Sequence, residues 1–281
     1  MKTNQLSTLI VGFATSVMLC LGINTRTNAQ TLHVGATTAV NATFVLDKGL
    51  ADDPRYNSTF TVKAAPIGIA VGMDFKNGVA LQLEGILAKQ GQVFDLINAA
   101  NQIAGKREID LTYIQVPLMF RYIGNREKKT RFNFMLGPQF SFLTAGREIV
   151  TAAAGTYNIP EGQAPAFISS VYGQGAISNT NNTYTTFTAA NEYVVSSYNN
   201  TDIEKRYSNF DLQLSGGFGL DITVAKNIYI STLVRASYGI LDARGSDLIS
   251  SVKGGTSKEL FGRRSNLLVG VQLGAHYTFS L

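Results

Sequence analysis

Apolar residues recur at every second position in eight separate stretches of this chain, and that period confines it to β-structure. The stretch from 267 to 281 shows the pattern most plainly. Its odd positions read Leu267, Val269, Val271, Leu273, Ala275, Tyr277, Phe279 and Leu281. Its even positions read Leu268, Gly270, Gln272, Gly274, His276, Thr278 and Ser280. A helix would mix these two sets around its axis, whereas a strand sends them to opposite faces.

Seven further stretches repeat the alternation. Near 32–46 the apolar face is Leu32, Val34, Ala36, Val40 and Phe44. Near 62–75 it is Ile67, Ile69, Val71, Met73 and Phe75, followed at once by Asn77-Gly78, a strong hairpin signal. Stretch 79–90 sets Leu81, Leu83 and Leu87 against Gln82, Glu84 and Gln90. The remaining four lie at 109–123, 131–143, 207–222 and 227–239. Connections alternate in length: short at 76–78, 124–130 and 223–226, long at 47–59, 91–108, 144–206 and 240–264.

The N-terminus points to export. Lys2 precedes an apolar run from Leu9 to Ile23, and a polar stretch ends at Thr27-Asn28-Ala29. A basic start, a short apolar run and small residues at the cut site predict a signal peptide over 1–29. The run is too short for a comfortable helical span. Cys20 is the one cysteine, so the mature chain 30–281 would carry no disulfide, thiolate nucleophile or Cys-bound metal. Losing Lys2 and Arg26 lowers the formal charge from +5 to +3. So small an excess does not suggest a nucleic-acid partner.

Alternation leaves open which face meets lipid. Strands of ten or more residues match a tilted membrane crossing. Aromatics on the apolar face gather at two levels: Phe75, Phe120, Tyr122, Phe132, Tyr277 and Phe279 near the short turns, and Phe44, Phe142, Phe210 and Tyr238 near the long loops. Two such girdles, with short turns at one end and long loops at the other, mark a membrane barrel. The opposite face carries Glu84, Arg121, Asp211, Asp221 and Arg235, which an apolar core would not accept unpaired. The expected fold is all-β: a single up-and-down antiparallel transmembrane β-barrel of eight strands, with ten the alternative. Glu84 and Arg235 stand at similar heights above the short turns and are expected to meet inside.

The strand Tyr113-Ile114-Gln115-Val116-Pro117-Leu118, the strand Leu136-Gly137-Pro138 and the C-terminal Tyr277-Thr278-Phe279-Ser280-Leu281 carry a resemblance to a known family. The chain resembles the porin-like outer-membrane β-barrel domains, the small OmpA- and OmpX-type barrels. The resemblance covers essentially the whole mature chain and implies a bacterial outer-membrane location. It also implies that Tyr277, Phe279 and Leu281 form the signal read by the barrel assembly machinery. Here the final residue is Leu where the family usually has Phe, and no Trp is present for the girdles.

Signals for chemistry are sparse. The sequence holds no P-loop, GxSxG, HExxH or CxxC motif, and no cofactor is expected. His33 and His276 fall on the inward face of neighbouring strands near the periplasmic rim. They read as polar lumen fillers, with no acid at useful spacing for a metal pair. Segment 144–206 is rich in Thr and Asn and holds 5 of the 12 tyrosines, a composition suited to adaptable polar recognition. Its own hairpin is expected, with Thr183–Phe187 against Glu192–Tyr198. The function expected is non-enzymatic, structural or recognitional, with a surface ligand bound through 144–206. A narrow channel is the first alternative and a lipid-modifying enzyme the second.

Overall fold

A computed structural model describes residues 29–75, 78–125, 127–159, 176–179, 181–187, 190–197, 206–246, 249 and 263–280. The expected signal peptide and Leu281 lie outside these residues, apart from Ala29. The chain runs β1 (Ala29–Asp47), α1 (Lys48–Ala51), β2 (Tyr56–Ser58), β3 (Thr61–Phe75), β4 (Val79–Ile97), β5 (Ile103–Ile123) and β6 (Thr130–Ala152). Then follow β7 (Gly155–Asn158), β8 (Ala176–Ser178), β9 (Thr183–Thr186), β10 (Ala190–Ser197), β11 (Phe210–Ala225), β12 (Ile228–Gly239) and β13 (Arg264–Ser280).

Eight of these strands close a ring, each antiparallel to its neighbours: β1, β3, β4, β5, β6, β11, β12, β13 and back to β1. Closure leaves no strand edge facing lipid, which a membrane core would not tolerate. Two further strands, β2 on β4 and β10 on β6, extend the sheet without entering the ring. This is how ten strands share one sheet while the barrel stays at eight. Gly78, at the tight β3–β4 turn, takes φ +83°, a conformation glycine reaches without strain.

The outward face of the ring is a continuous apolar belt. Val40, Ile69, Phe120, Phe134, Leu214, Val234, Val271 and Leu273 each leave 40% or more of their surface outside the protein. Inside the ring at the same level lie Gln82, Glu84, Arg121, Gln139, Asp211, Gln213, Asp221 and Arg235, all buried. Apolar-out and polar-in is the distribution of a membrane barrel.

The outer end departs from the sequence expectation. Segments 91–108 and 144–206 do not leave the barrel at residues 91 and 144. β4 continues to Ile97, β5 begins at Ile103 and β6 continues to Ala152. A bulge explains the misreading. Tyr113 pairs with Leu143 but Thr112 pairs with Ala145, so one extra residue enters β6 there. Below the bulge the odd residues of β6 point inward; above it, Glu148 and Val150 do. An inserted residue swaps the faces and ends the visible alternation. The expected hairpin within 144–206 does not form either. β9 pairs instead with β7 and β8, and β10 pairs with β6.

Candidate functional site

The lumen holds one connected network, built from inward positions on β4, β5, β6, β11, β12 and β13. Its centre is Arg235 of β12. Arg235 Nη1 lies 2.7 Å from Glu84 Oε2 of β4, and its other donors reach Ser215 Oγ (2.8 Å), Gln272 Oε1 (3.1 Å) and Gln139 Oε1 (3.1 Å). Towards the outside, Gln139 Nε2 donates to Gln213 Oε1 (2.7 Å), and Gln213 Nε2 donates to Asp211 Oδ2 (2.8 Å). Towards the periplasm, Gln82 Nε2 donates to Glu84 Oε1 (2.6 Å), and Arg121 Nη1 donates to Gln82 Oε1 (2.7 Å). Arg121 Nη2 then meets Asp221 Oδ2 at 2.9 Å, and Asn133 donates to the other carboxylate oxygen at 2.6 Å.

All five charged residues expected in the lumen therefore belong to one hydrogen-bonded chain. The glutamines at 82, 139, 213 and 272 link them, a role that charge counting passes over. An amide both donates and accepts, so it can relay between two charges of either sign. One cavity of about 30 Å³ lies beside Gln115, Gln139, Arg235 and Gln272, and another of about 10 Å³ beside Glu84, Arg121, Ser231 and His276. These volumes hold one or two water molecules.

The two histidines cap the network near the short turns. His33 Nε2 and Gln82 Oε1 are 3.1 Å apart, and the imidazole rings of His33 and His276 are 5.8 Å apart. Tyr229 stacks on His276 at 4.5 Å, and His276 Nε2 lies 2.9 Å from Ser231 Oγ. Both rings occupy space opened by glycine: a Cβ at Gly72 would collide with His33, and one at Gly35 with His276. An acid does stand beside His33, contrary to the sequence expectation. Asp74 Oδ1 is 3.3 Å from His33 Nδ1. Asp74 is the last residue but one of β3, the strand that pairs with β1 at His33. Among the described residues no three His, Cys, Asp or Glu side chains converge as a metal site.

Beyond the outer girdle the barrel interior changes character. Val45, Leu50, Phe94, Ile109, Leu111, Tyr113 and Tyr207 form an apolar cluster that roofs the lumen. A second cluster joins Leu96 to Ile159 and to Tyr157 and Tyr184 of the small β7–β9–β8 sheet. Between them lies a buried ionic group that sequence reading missed, because its acid sits past the bulge. Glu148 accepts from Arg107 Nε at 2.8 Å and from the Tyr207 hydroxyl at 2.8 Å. Arg264 Nε meets Asp47 Oδ2 at 2.7 Å nearby. Burial pushes the Glu148 carboxyl up, but Arg107, Arg264 and Arg206 together outweigh it and hold the pKa down at about 2. Burial, and then Glu148 itself, push the Tyr207 phenol well above its usual value, so it stays a donor. Arg55 is buried against Asp53 and donates to the Tyr184 hydroxyl at 3.2 Å, tying the small sheet to the barrel.

An eight-stranded ring, an apolar belt and a charged, filled lumen together define a small membrane-spanning β-barrel. The chain belongs to the outer membrane protein beta-barrel domain family, whose model matches residues 28–243. Its location is the bacterial outer membrane. Solved structures with a similar course include outer membrane protein OprG from Pseudomonas aeruginosa, with 11% identity, TM-score 0.43 and coverage of 90% of this chain and 97% of that one. The attachment invasion locus protein Ail of Yersinia pestis matches at 8% identity and TM-score 0.34, covering 88% and 98%. Outer membrane protease OmpT from Escherichia coli matches at 12% identity and TM-score 0.38, covering 89% and 97%. A comparison with curated proteins finds no match.

Proposed function

We propose that this protein is a non-conducting, non-enzymatic outer-membrane barrel whose outer half serves as a firm surface for recognition. The observation that carries this reading is the continuous network from Asp211 through Arg235 and Glu84 to Asp221, with cavities of about 30 Å³ and about 10 Å³ beside it. A path for ions would require several of these buried pairs to part at once, and parting one such pair costs roughly 3–5 kcal/mol. This favours the closed reading over a narrow channel. The non-enzymatic reading is supported by the histidines. Both are buried, and His276 Nδ1 has no hydrogen-bond partner to orient the ring towards Ser231. The surface ligand is proposed to bind through the segment 144–206, whose Tyr157 and Tyr184 pack with Leu96 in the second outer cluster. Tyr277 and Phe279, both outward-facing, are read with Leu281 as the signal for the assembly machinery.

Conductance in planar bilayers tests the closed lumen. The native protein is expected to give no sustained steps, and Glu84→Gln to give measurable current or a lower unfolding temperature. Steady ohmic current from the native protein would overturn the reading. Cross-linking in intact cells tests recognition. A partner captured by the native chain is expected to be lost when residues 160–175 are replaced by a short Gly-Ser linker. Retention of every partner would remove this segment from the proposal.

A further inference from the structure

The periplasmic rim carries a cationic surface that neither the lumen network nor the recognition reading uses. We propose that Lys128, Lys129 and Lys226 form a docking site for the phosphate headgroups of anionic phospholipids in the inner leaflet. Lys128 and Lys129 lie in the β5–β6 turn, and Lys226 lies in the β11–β12 turn. β6 and β11 are neighbours, and the Thr223 amide donates to the Lys129 carbonyl at 2.8 Å, so the two turns sit side by side.

Three features make this a lipid-facing surface. First, all three lysines are exposed, and among the described residues no carboxylate stands within ion-pair distance of any of them. At the opposite end two lysines are paired: Lys63 meets Asp110 at 3.1 Å, and Lys48 meets Asp52. Second, the neighbouring outward residues are the belt itself. Tyr122, Phe132, Val224 and Ile228 are each at least 40% exposed at this rim. Lysines one turn beyond an apolar belt place their stems along it and their ammonium groups at headgroup depth. Third, the acids of this end are turned away. Asp74 and Asp221 point into the lumen and are buried, which leaves Glu127 as the exposed acid among the described residues of the two turns. Charge complementarity thus selects an anionic headgroup over a zwitterionic one, by roughly fivefold per lysine near the surface.

The test uses the full mature chain, folded into vesicles of phosphatidylcholine with one fifth phosphatidylglycerol. After extraction, lipids retained on the barrel are measured by native mass spectrometry. The native protein is expected to enrich phosphatidylglycerol at least fivefold over its share of the vesicle. In the triple variant Lys128→Gln, Lys129→Gln, Lys226→Gln, or in the native protein washed with 0.5 M salt, that enrichment is expected to vanish. A control, Lys106→Gln at the outer end, is expected to keep it. Equal enrichment in the triple variant and the native protein overturns the proposal, as does none in the native protein. Should the triple variant not fold, the single Lys226→Gln and the salt wash decide the matter alone.

Discussion

The two halves of this barrel follow opposite solvent rules along the same strands. In the lower half of β5, Ile114, Val116, Leu118 and Phe120 face out, and Gln115 and Arg121 face in. In its upper half, Ile109, Leu111 and Tyr113 face in, and Lys106, Glu108 and Asp110 face out. The strand does not rotate; the chemistry changes sides at Tyr113-Ile114. Below that point the solvent outside is lipid, so polar groups must find one another in the lumen. Above it the solvent is water, so apolar groups are the ones gathered inside. The membrane boundary is therefore written into the strand as a phase slip in its hydrophobic pattern.

A single charge on the outward face measures this contrast most strongly. Val271 faces out in the middle of the lower half and is half exposed to lipid. Val271→Arg is expected to lower folding stability by about 2–4 kcal/mol in bilayers. Val93 faces out in the upper half, across β4–β5 from Glu108. Val93→Arg is expected to change stability by no more than about 0.5 kcal/mol. Urea midpoints of the two variants in the same vesicles decide the matter. Equal losses would place Val93 in lipid and erase the boundary drawn at Tyr113.

This contrast also explains what could be read from the sequence. The lower half was legible because period two, paired girdles and inward charges all describe one face against one solvent. Heights counted from the short turns put Glu84 and Arg235 level, and they lie 2.7 Å apart. The upper half was not legible, for two physical reasons. The phase slip in β5 and the bulge at Leu143–Ala145 in β6 both break the alternation, so the sequence pattern ends near the membrane surface while the strands continue. The outer clusters also join residues far apart in sequence, such as Asp47 with Arg264 and Arg55 with Tyr184, and no local pattern marks such pairs.

Acid distinguishes the halves by a second route. The Glu148 pKa falls from an ordinary 4.5 to about 2 on folding. A depressed carboxylate contributes stability that is complete above the unfolded pKa and is lost as pH drops through the folded one. The outer cluster is expected to lose about 3 kcal/mol as the pH falls from 4.5 to 2. Near-ultraviolet circular dichroism of the tyrosines, taken against urea at several pH values, reads this loss. Glu148→Gln is expected to flatten the dependence. A native midpoint that stays constant down to pH 2 would show that Glu148 is not held by its three arginines.

The smallest effect asks whether the β7–β9–β8 sheet belongs to the outer half or merely rests on it. Tyr184 stacks on Tyr157 with ring centroids 5.6 Å apart, and its hydroxyl accepts from Arg55. Tyr184→Phe keeps the ring and the stack but removes the acceptor. The expected loss is about 1 kcal/mol, the usual net worth of such a bond, because Arg55 remains paired with Asp53. Where that loss appears is the informative part. If the sheet is part of the outer core, hydrogen exchange should quicken together in residues 155–158, 183–186 and 94–97, because Leu96 packs against Tyr157 and Tyr184. The heat-modifiable migration of the barrel, which reports the lower half, should stay unchanged. Faster exchange confined to the small sheet would make it a separate unit. The recognition surface would then rest on the β4–β6 wall alone.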